Sequence, residues 1–324
     1  MRHDSTRLRS TEAVASLRIL LILVIILPCG SCASPRQPIR IGVNPWPPCE
    51  LWYVAEAQGM FGNLDVDIVR FSTWTDNMKA LPLGNIDITH SSYFNALVYH
   101  SKGAGGKIVL KSDTIVGGDG LAARPGLELA DLRGKKIAVE LETDEHFLLY
   151  KALASVGIPE SAVFIVPSAS IDAARMLGRG EVDACFTYEP YLSEAADASG
   201  GRILFSTRDV PDTMIDVLVA SGSLVEKRSD DVKALLEAYV SARRWVEDHP
   251  AEAFRLMAGK EKMPPADFEL FFRSFTFFEP EDAKLSDVGF LARLDEMNEF
   301  LAAHGFIPAE QAARDAVWLD EATY

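Results

Sequence analysis

Two stretches of the chain, 39–90 and 137–186, repeat one succession of segments, and this doubling restricts the fold more than any other feature. "IRIGV" from Ile39 corresponds to "KIAVE" from Lys136, both short apolar runs suited to buried parallel strands. Helix-like segments follow and end at Gly59 and Gly157, where glycine can take the left-handed stop. "DVDIVRF" from Asp65 then answers "AVFIVPS" from Ala162, and after another helix "LGNIDITH" from Leu83 answers "GRGEVDACF" from Gly178. The offsets are 98, 98, 97 and 96 residues, taken from Ile39 to Ile137, Gly59 to Gly157, Asp65 to Ala162 and His90 to Phe186. Each half therefore reads strand–helix–strand–helix–strand, the doubly wound α/β unit.

Two stretches read as connections between the halves. "GDGLAARPG" (Gly118 to Gly126) leads into the second half, and "DTMIDVLVA" (Asp212 to Ala220) follows it. Beyond, the pattern turns helical. Val232, Leu235, Leu236, Tyr239, Val240 and Val246 recur at helical spacing, with Ser229 as N-cap and His249-Pro250 as the stop. Further helices are expected near 251–258, 265–274 and 287–304.

The N-terminus stands apart. Arg2, Arg7, Arg9 and Arg18 precede "ILLILVIIL" (Ile19 to Leu27), whose nine apolar residues are too few for a bilayer that needs ~20. A basic start and a short apolar core read as a secretory signal over 1–31. Gly30 and Ser31 before Cys32 resemble a bacterial lipobox, which implies lipidation at Cys32. Cys29 stands where leucine is usual, and plain signal cleavage is the alternative. Cys49 and Cys185 remain, a pair that fits two buried thiols better than a disulfide framework. The formal net charge of -15 argues against nucleic acid and anionic membrane surfaces as partners, since both need basic patches.

"NPWPPCELWYVAEAQGMF", "ALPLGNIDI", "LADLRGKKIAVE", "GRGEVDACFTYEPYL" and "MIDVLVA", in this order and spacing, resemble ABC-importer solute-binding proteins of the nitrate/sulfonate/taurine and thiamine-precursor branch. The resemblance covers nearly all of the mature chain. It implies an α/β, two-lobe periplasmic-binding-protein fold of type II, each lobe a doubly wound sheet, with a helical C-terminal tail. In that family the second crossing returns the chain to the first lobe. The expected division is a lipoprotein-type signal over 1–31, lobe one over 38–122 and lobe two over 123–214. Residues 215–324 would return to lobe one and add the C-terminal helices. The implied protein is an exported, lipid-anchored monomer of the cell envelope. It would close on a small solute and work with permease and ATPase subunits.

Ligands of open parallel sheets bind beyond the carboxyl ends of the strands. Six loops then line the cleft: "NPWPPCE", "FSTWTD" and "THSSYF" from one lobe, "ELETDEH", "PSASI" and "FTYEPY" from the other. The candidate ligand contacts are Trp46, Trp74, Asp76, Ser92, Tyr93, Thr143, His146, Tyr188, Glu189 and Asp216. Trp46 and Trp74 are large rings in loops, whereas Trp52 and Tyr53 sit in the following helix and one of them is assigned to the core. The loops hold Glu50, Asp76, Glu140, Glu142, Asp144, Glu145 and Glu189 but no lysine or arginine. Tight anion sites use arginine, so the loops favour a protonated amine or donor-rich ring. Helix N-termini and hydroxyls could still hold an oxyanion, and a zwitterion satisfies both. Thr143 reads as an N-cap, with Asp144 and Glu145 favouring the helix dipole. Glu189 is the preferred carboxylate and Asp216 the alternate.

No G-x-S-x-G turn, H-E-x-x-H helix or G-K-[ST] phosphate loop occurs. No catalytic residue, metal or cofactor is expected. His90, His146, Cys49 and Cys185 fall near the cleft loops without close ligand spacing. Two rivals share the fold. One is an exported ligand-sensing module. The other is an enzyme like the yeast thiamine-pyrimidine synthase, whose cysteine-rich motif is missing here.

Overall fold

The computed structural model describes residues 37–103, 106–210, 213–279 and 285–318. The expected signal over 1–31 and the lipidation at Cys32 lie outside the described residues. In the first half, β1 (Ile39–Val43), β2 (Val66–Arg70) and β3 (Ile88–Ser92) alternate with α1 (Leu51–Ala57) and α2 (Trp74–Ala80), and α3 (Tyr93–Ser101) follows. After β4 (Gly106–Ile115) and β5 (Asp119–Ala123) the second half repeats the unit. It consists of β6 (Lys136–Val139), α4 (Asp144–Ser155), β7 (Phe164–Pro167), α5 (Ser170–Gly178), β8 (Ala184–Tyr188) and α6 (Tyr191–Ser199). Then come β9 (Arg202–Ser206), β10 (Asp216–Ser221), α7 (Gly222–Lys227), α8 (Ser229–Asp248), α9 (Pro250–Glu261), α10 (Pro265–Phe272), β11 (Phe275–Phe277) and α11 (Val288–Ala303).

Two sheets result. One has the order β11-β4-β10-β3-β1-β2, the other β7-β6-β8-β5-β9. Leaving out the edge strand β11, the orders match position by position, with β1, β2, β3, β10 and β4 corresponding to β6, β7, β8, β5 and β9. In each sheet the first three strands are parallel, and the next is antiparallel to its neighbours. The correspondence reaches individual bonds. Asp87 accepts from the Arg40 amide at 2.9 Å, and Asp183 accepts from the Lys136 amide at 2.8 Å. In both cases an aspartate that opens the third strand ties down the start of the first, and an arginine pairs with it from the side, Arg40 on Asp87 and Arg124 on Asp183.

The connections differ from the sequence expectation in one respect. Asp119–Ala123 was expected within the first crossing, with lobe two opening at residue 123. It is instead a central strand of the second sheet, paired antiparallel with β8 and β9. The chain changes sheets between Ile115 and Asp119. Local pattern misplaces this point because a short apolar run reads alike as a connection and as a buried strand. The return lies between β9 and β10, and β10 inserts between β3 and β4. The two connectors are clipped together: the Gly117 amide donates to Thr207 Oγ1 at 2.7 Å, and Thr114 Oγ1 donates to the Met214 carbonyl at 2.6 Å. Gly117 sits at φ 86°, which disfavours any residue with a Cβ.

The C-terminal helices form over Pro250–Glu261, Pro265–Phe272 and Val288–Ala303, close to the expected spans. Trp52 and Tyr53 are both core, Trp52 lying 4.9 Å from the Tyr239 ring of α8. Helix α11 touches both lobes. It packs beside α3, and its Phe300 ring meets Phe147 of α4 at 4.8 Å.

Candidate functional site

A cavity of about 580 Å³ opens between the two sheets. All six expected loops border it: Asn44–Pro47 after β1, Ser72–Thr75 after β2, and His90–Ser92 ending β3. Lobe two supplies Glu140 and Thr143–Glu145 after β6, Ala169–Ile171 after β7, and Tyr188–Tyr191 after β8. Among the described residues no lysine or arginine lines it.

Of the sequence candidates, Trp46, Trp74, Ser92, Thr143, Tyr188, Glu189 and Asp216 lie on the wall. Trp46 is fixed by its ring N–H, which donates to Asp216 Oδ2 at 3.2 Å, and by edge contacts with Phe271 and Phe275 at 5.9 and 5.0 Å. Tyr188 faces Tyr191 at 5.5 Å. Three candidates lie off the wall. Asp76 is exposed and accepts from the hydroxyl of its own N-cap, Thr73, at 2.8 Å. Tyr93 is buried at the second crossing, its hydroxyl donating to the Thr213 carbonyl at 2.6 Å. His146 is buried with Nε2 2.9 Å from Glu160 Oε1, because the first turn of α4 rotates it away from Thr143 and toward α11. Glu189 borders the cavity, but its carboxylate accepts from the Ser193 amide and hydroxyl at 3.1 and 2.7 Å. Thr143 holds the N-cap position while its hydroxyl donates back to the Glu140 carbonyl at 2.8 Å.

The carboxylates dominate the electrostatics. Asp216 opens β10 and Asp119 opens β5, the corresponding strands of the two sheets. Withdrawal from water pushes both carboxyls well above the usual range. The neighbouring Asp113, Asp144 and Asp119 charges raise Asp216 further, and Glu145, Asp144 and Glu189 do the same for Asp119. Burial, and then the Glu145 charge, push Asp144 up to about 8. Asn95 of α3 donates to Asp144 Oδ2 at 3.1 Å across the cleft, and Oδ1 has no partner among the described residues. Burial raises Glu145 as well.

Of the helices that start at the wall, α2, α3, α5 and α6 each hold an oxygen of the chain on a first-turn amide. Thr73 and Ser92 hydroxyls accept from amides of α2 and α3 at 3.1 and 3.2 Å. The first turn of α4 carries Asp144 and Glu145 and has no side-chain cap among the described residues. Glu140 accepts from the Ser170 amide of α5 at 3.0 Å, and Glu189 covers α6.

Sequence reasoning assigned Asp144 and Glu145 to the helix dipole and passed over Asp119. Glu261, Met263, Phe268 and Phe271 also line the cavity, from the C-terminal tail. One signal was available for Asp119: "DGLAA" and "DVLVA" share D-x-L-x-A at corresponding strands.

His90 on the wall lies 2.8 Å from Ser112 Oγ and 3.3 Å from Asp113 Oδ1, both through Nε2. A hydrolytic triad places serine and acid on opposite ring nitrogens. Here Nδ1 has no partner among the described residues, and Ser112 is buried off the wall. Cys49 and Cys185 are free and buried; burial holds the first thiol well above its ordinary range and pushes the second to about 12. Neither is a ready thiolate. Among the described residues no group of three His, Cys, Asp or Glu side chains is placed to hold a metal ion.

The family model described as the NMT1-like family matches residues 32–259. The taurine-binding periplasmic protein of Escherichia coli (strain K12) is 23% identical over 296 residues, 86% of this chain and 90% of that one. The periplasmic aliphatic sulphonate binding protein SsuA of Escherichia coli superposes with a TM-score of 0.73 at 19% identity, over 87% of this chain and 92% of its own. The alkanesulfonate-binding protein SsuA of Xanthomonas axonopodis pv. citri, bound to MOPS, gives 0.72 at 19%, over 88% and 99%. The desulfurization enzyme DSZB gives 0.63 at 19%, over 87% and 96%. At such identities the likeness is one of fold.

Proposed function

The chain belongs to the NMT1-like family, and we propose that it is the solute-binding component of an ABC importer. It captures a small molecule bearing a protonated nitrogen and hands it to permease and ATPase subunits. The observation that carries the reading is the cavity wall: aromatic rings and carboxylates from both lobes, with no cationic side chain among the described residues. Aromatic faces attract cations, and a carboxylate on an ammonium makes a charge-assisted bond. Taurine, named for one relative, carries both an ammonium and a sulfonate. Here a first-turn amide in each of α2, α3, α5 and α6 already holds an oxygen of the chain, which favours the nitrogen as the recognised half. A non-catalytic role is supported by the buried thiols and by the binding-protein names of the relatives.

A thermal-shift screen of amines, heteroaromatic amines, taurine, nitrate and alkyl sulfonates tests this. A true ligand at ~100 times its dissociation constant adds about 2.7 kcal/mol, and amines are expected to give the shifts. Stabilisation by nitrate or an alkyl sulfonate alone would overturn the reading.

The same proposal includes export and a lipid anchor at Cys32, supported by "CGSC" after the short apolar run. Cys32→Ser is expected to abolish incorporation of labelled fatty acid and to leave an unprocessed precursor. Equal labelling of both forms would exclude the anchor. The chain is taken to act as a monomer.

A further inference from the structure

Arg70 ends β2, two residues before the wall segment Ser72–Thr75. Its guanidinium is held from two sides. Nη1 donates to Glu50 Oε1 at 2.7 Å, and Nη2 lies 3.1 Å from Glu261 Oε1. The two carboxylates differ in kind. Glu50 is 0% exposed and sits behind Arg70 under the first cleft loop; Glu261 is 11% exposed, ends α9 and forms part of the cavity wall. The Glu50 contact is a hydrogen bond, whereas the Glu261 contact is an ion pair without that alignment, since Glu261 Oε1 has no hydrogen-bond partner among the described residues. Arg70 itself is 30% exposed.

We propose that Arg70, backed by Glu50, is a built oxyanion seat behind the cavity wall, and that Glu261, which lines the wall, occupies it as an internal stand-in for a ligand's anionic group. Glu261 is then a specificity-determining residue: it keeps the Arg70 guanidinium from receiving a sulfonate or carboxylate. This rests on the reading of the interlobe cavity as the solute site, and it adds what sets the preference between cation and anion there. A guanidinium presents a planar fork suited to two-oxygen recognition. With Nη1 committed to Glu50, Nη2 faces the buried Oε1 of Glu261, a side chain that lines the cavity. Removing that carboxylate opens the seat while the hydrogen bond from Arg70 to Glu50 stays behind it.

Isothermal calorimetry on the full chain, with ethanesulfonate as the probe, decides the matter. Glu261→Ala is expected to bind ethanesulfonate at least tenfold more tightly than the unaltered protein, and adding Arg70→Met to it is expected to remove the gain. Glu261→Gln keeps the side-chain length and loses the charge, and it should move the affinity in the same direction. An unchanged affinity in both Glu261 variants, with circular dichroism as in the parent, would overturn the proposal. So would a gain that survives Arg70→Met. The amine screen reports separately. If no amine binds while Glu261→Ala gains ethanesulfonate, the seat stands and the preference for nitrogen falls. If amines bind and the variant gains nothing, the reverse holds.

Discussion

Asp216→Asn is expected to weaken capture of an ammonium ligand by at least tenfold. Asp216 stands where the second crossing enters β10, beside Asp113 on the neighbouring strand and within the field of Asp144 and Asp119. In the empty protein these charges, together with withdrawal from water, favour a proton on Asp216. An ammonium group entering the cavity takes over that role, and Asp216 then meets it as a carboxylate. Such a charge-assisted bond contributes about 1.5–3 kcal/mol, against 1.4 kcal/mol for a factor of ten. Asparagine retains an oxygen for the Trp46 N–H, so the wall keeps its shape and far-UV circular dichroism should not change. Trp46→Ala removes the adjoining ring, and a loss of similar size is expected. Calorimetry with the best amine of the screen gives both values. Undiminished affinity in Asp216→Asn would mean that the nitrogen sits elsewhere.

Thermal stability of the empty protein is expected to fall as pH rises from about 4 to about 8. Asp144 and Glu50 are each raised to about 8 in the fold, while their unfolded forms release protons near ~4. Between these limits the folded chain holds more protons than the unfolded one, and stability then declines with rising pH. Burial is the main cause for both groups. Glu145 adds its charge for Asp144, and the neighbouring Glu261 carboxyl raises Glu50 against the opposing pull of Arg70. Asp144→Asn removes one of the two groups and should flatten the profile, as read from melting midpoints at pH 5, 6, 7 and 8. A saturating amine should flatten it as well, since the bound cation replaces the proton. A midpoint that rises over this interval would show that these carboxyls are ionised in the empty cleft.

Much of the scaffold was legible because one pattern occurs twice. Gly59 and Gly157 end corresponding segments, and Asp87 and Asp183 form the same tether in each half. Local regularity of this kind needs no knowledge of distant contacts. The connectors were harder, since Asp119–Ala123 becomes a strand only by pairing with β8 and β9, far along the chain. The six loops follow from sheet topology, but the direction of each side chain within them does not. Glu189 turns to Ser193 and His146 to Glu160, choices set by neighbours that spacing does not reveal. Asp144 and Glu145 fit a helix-dipole role equally well until their burial is known. The share of the wall built by Glu261, Met263 and Phe271 depends on where the C-terminal tail docks, and nothing in the tail's own periodicity records that.

The pairing of Asp119 with Asp216 bears on the speed of capture. Asp119 and Asp216 at the roots of corresponding strands, with Asp144 and Glu145 beside them, are raised toward the protonated form in the empty cleft, and an arriving cation meets their charge as it displaces their protons. Negative charge released there attracts the cation at short range. The chain's net charge of -15 acts in the same sense over a longer range. Encounter is thus biased toward cationic solutes before any contact forms, and salt screens that bias within a Debye length of about 8 Å at physiological ionic strength. The acids of the cleft hold the ligand, the net charge of the chain sets how often it arrives, and ionic strength tunes that frequency.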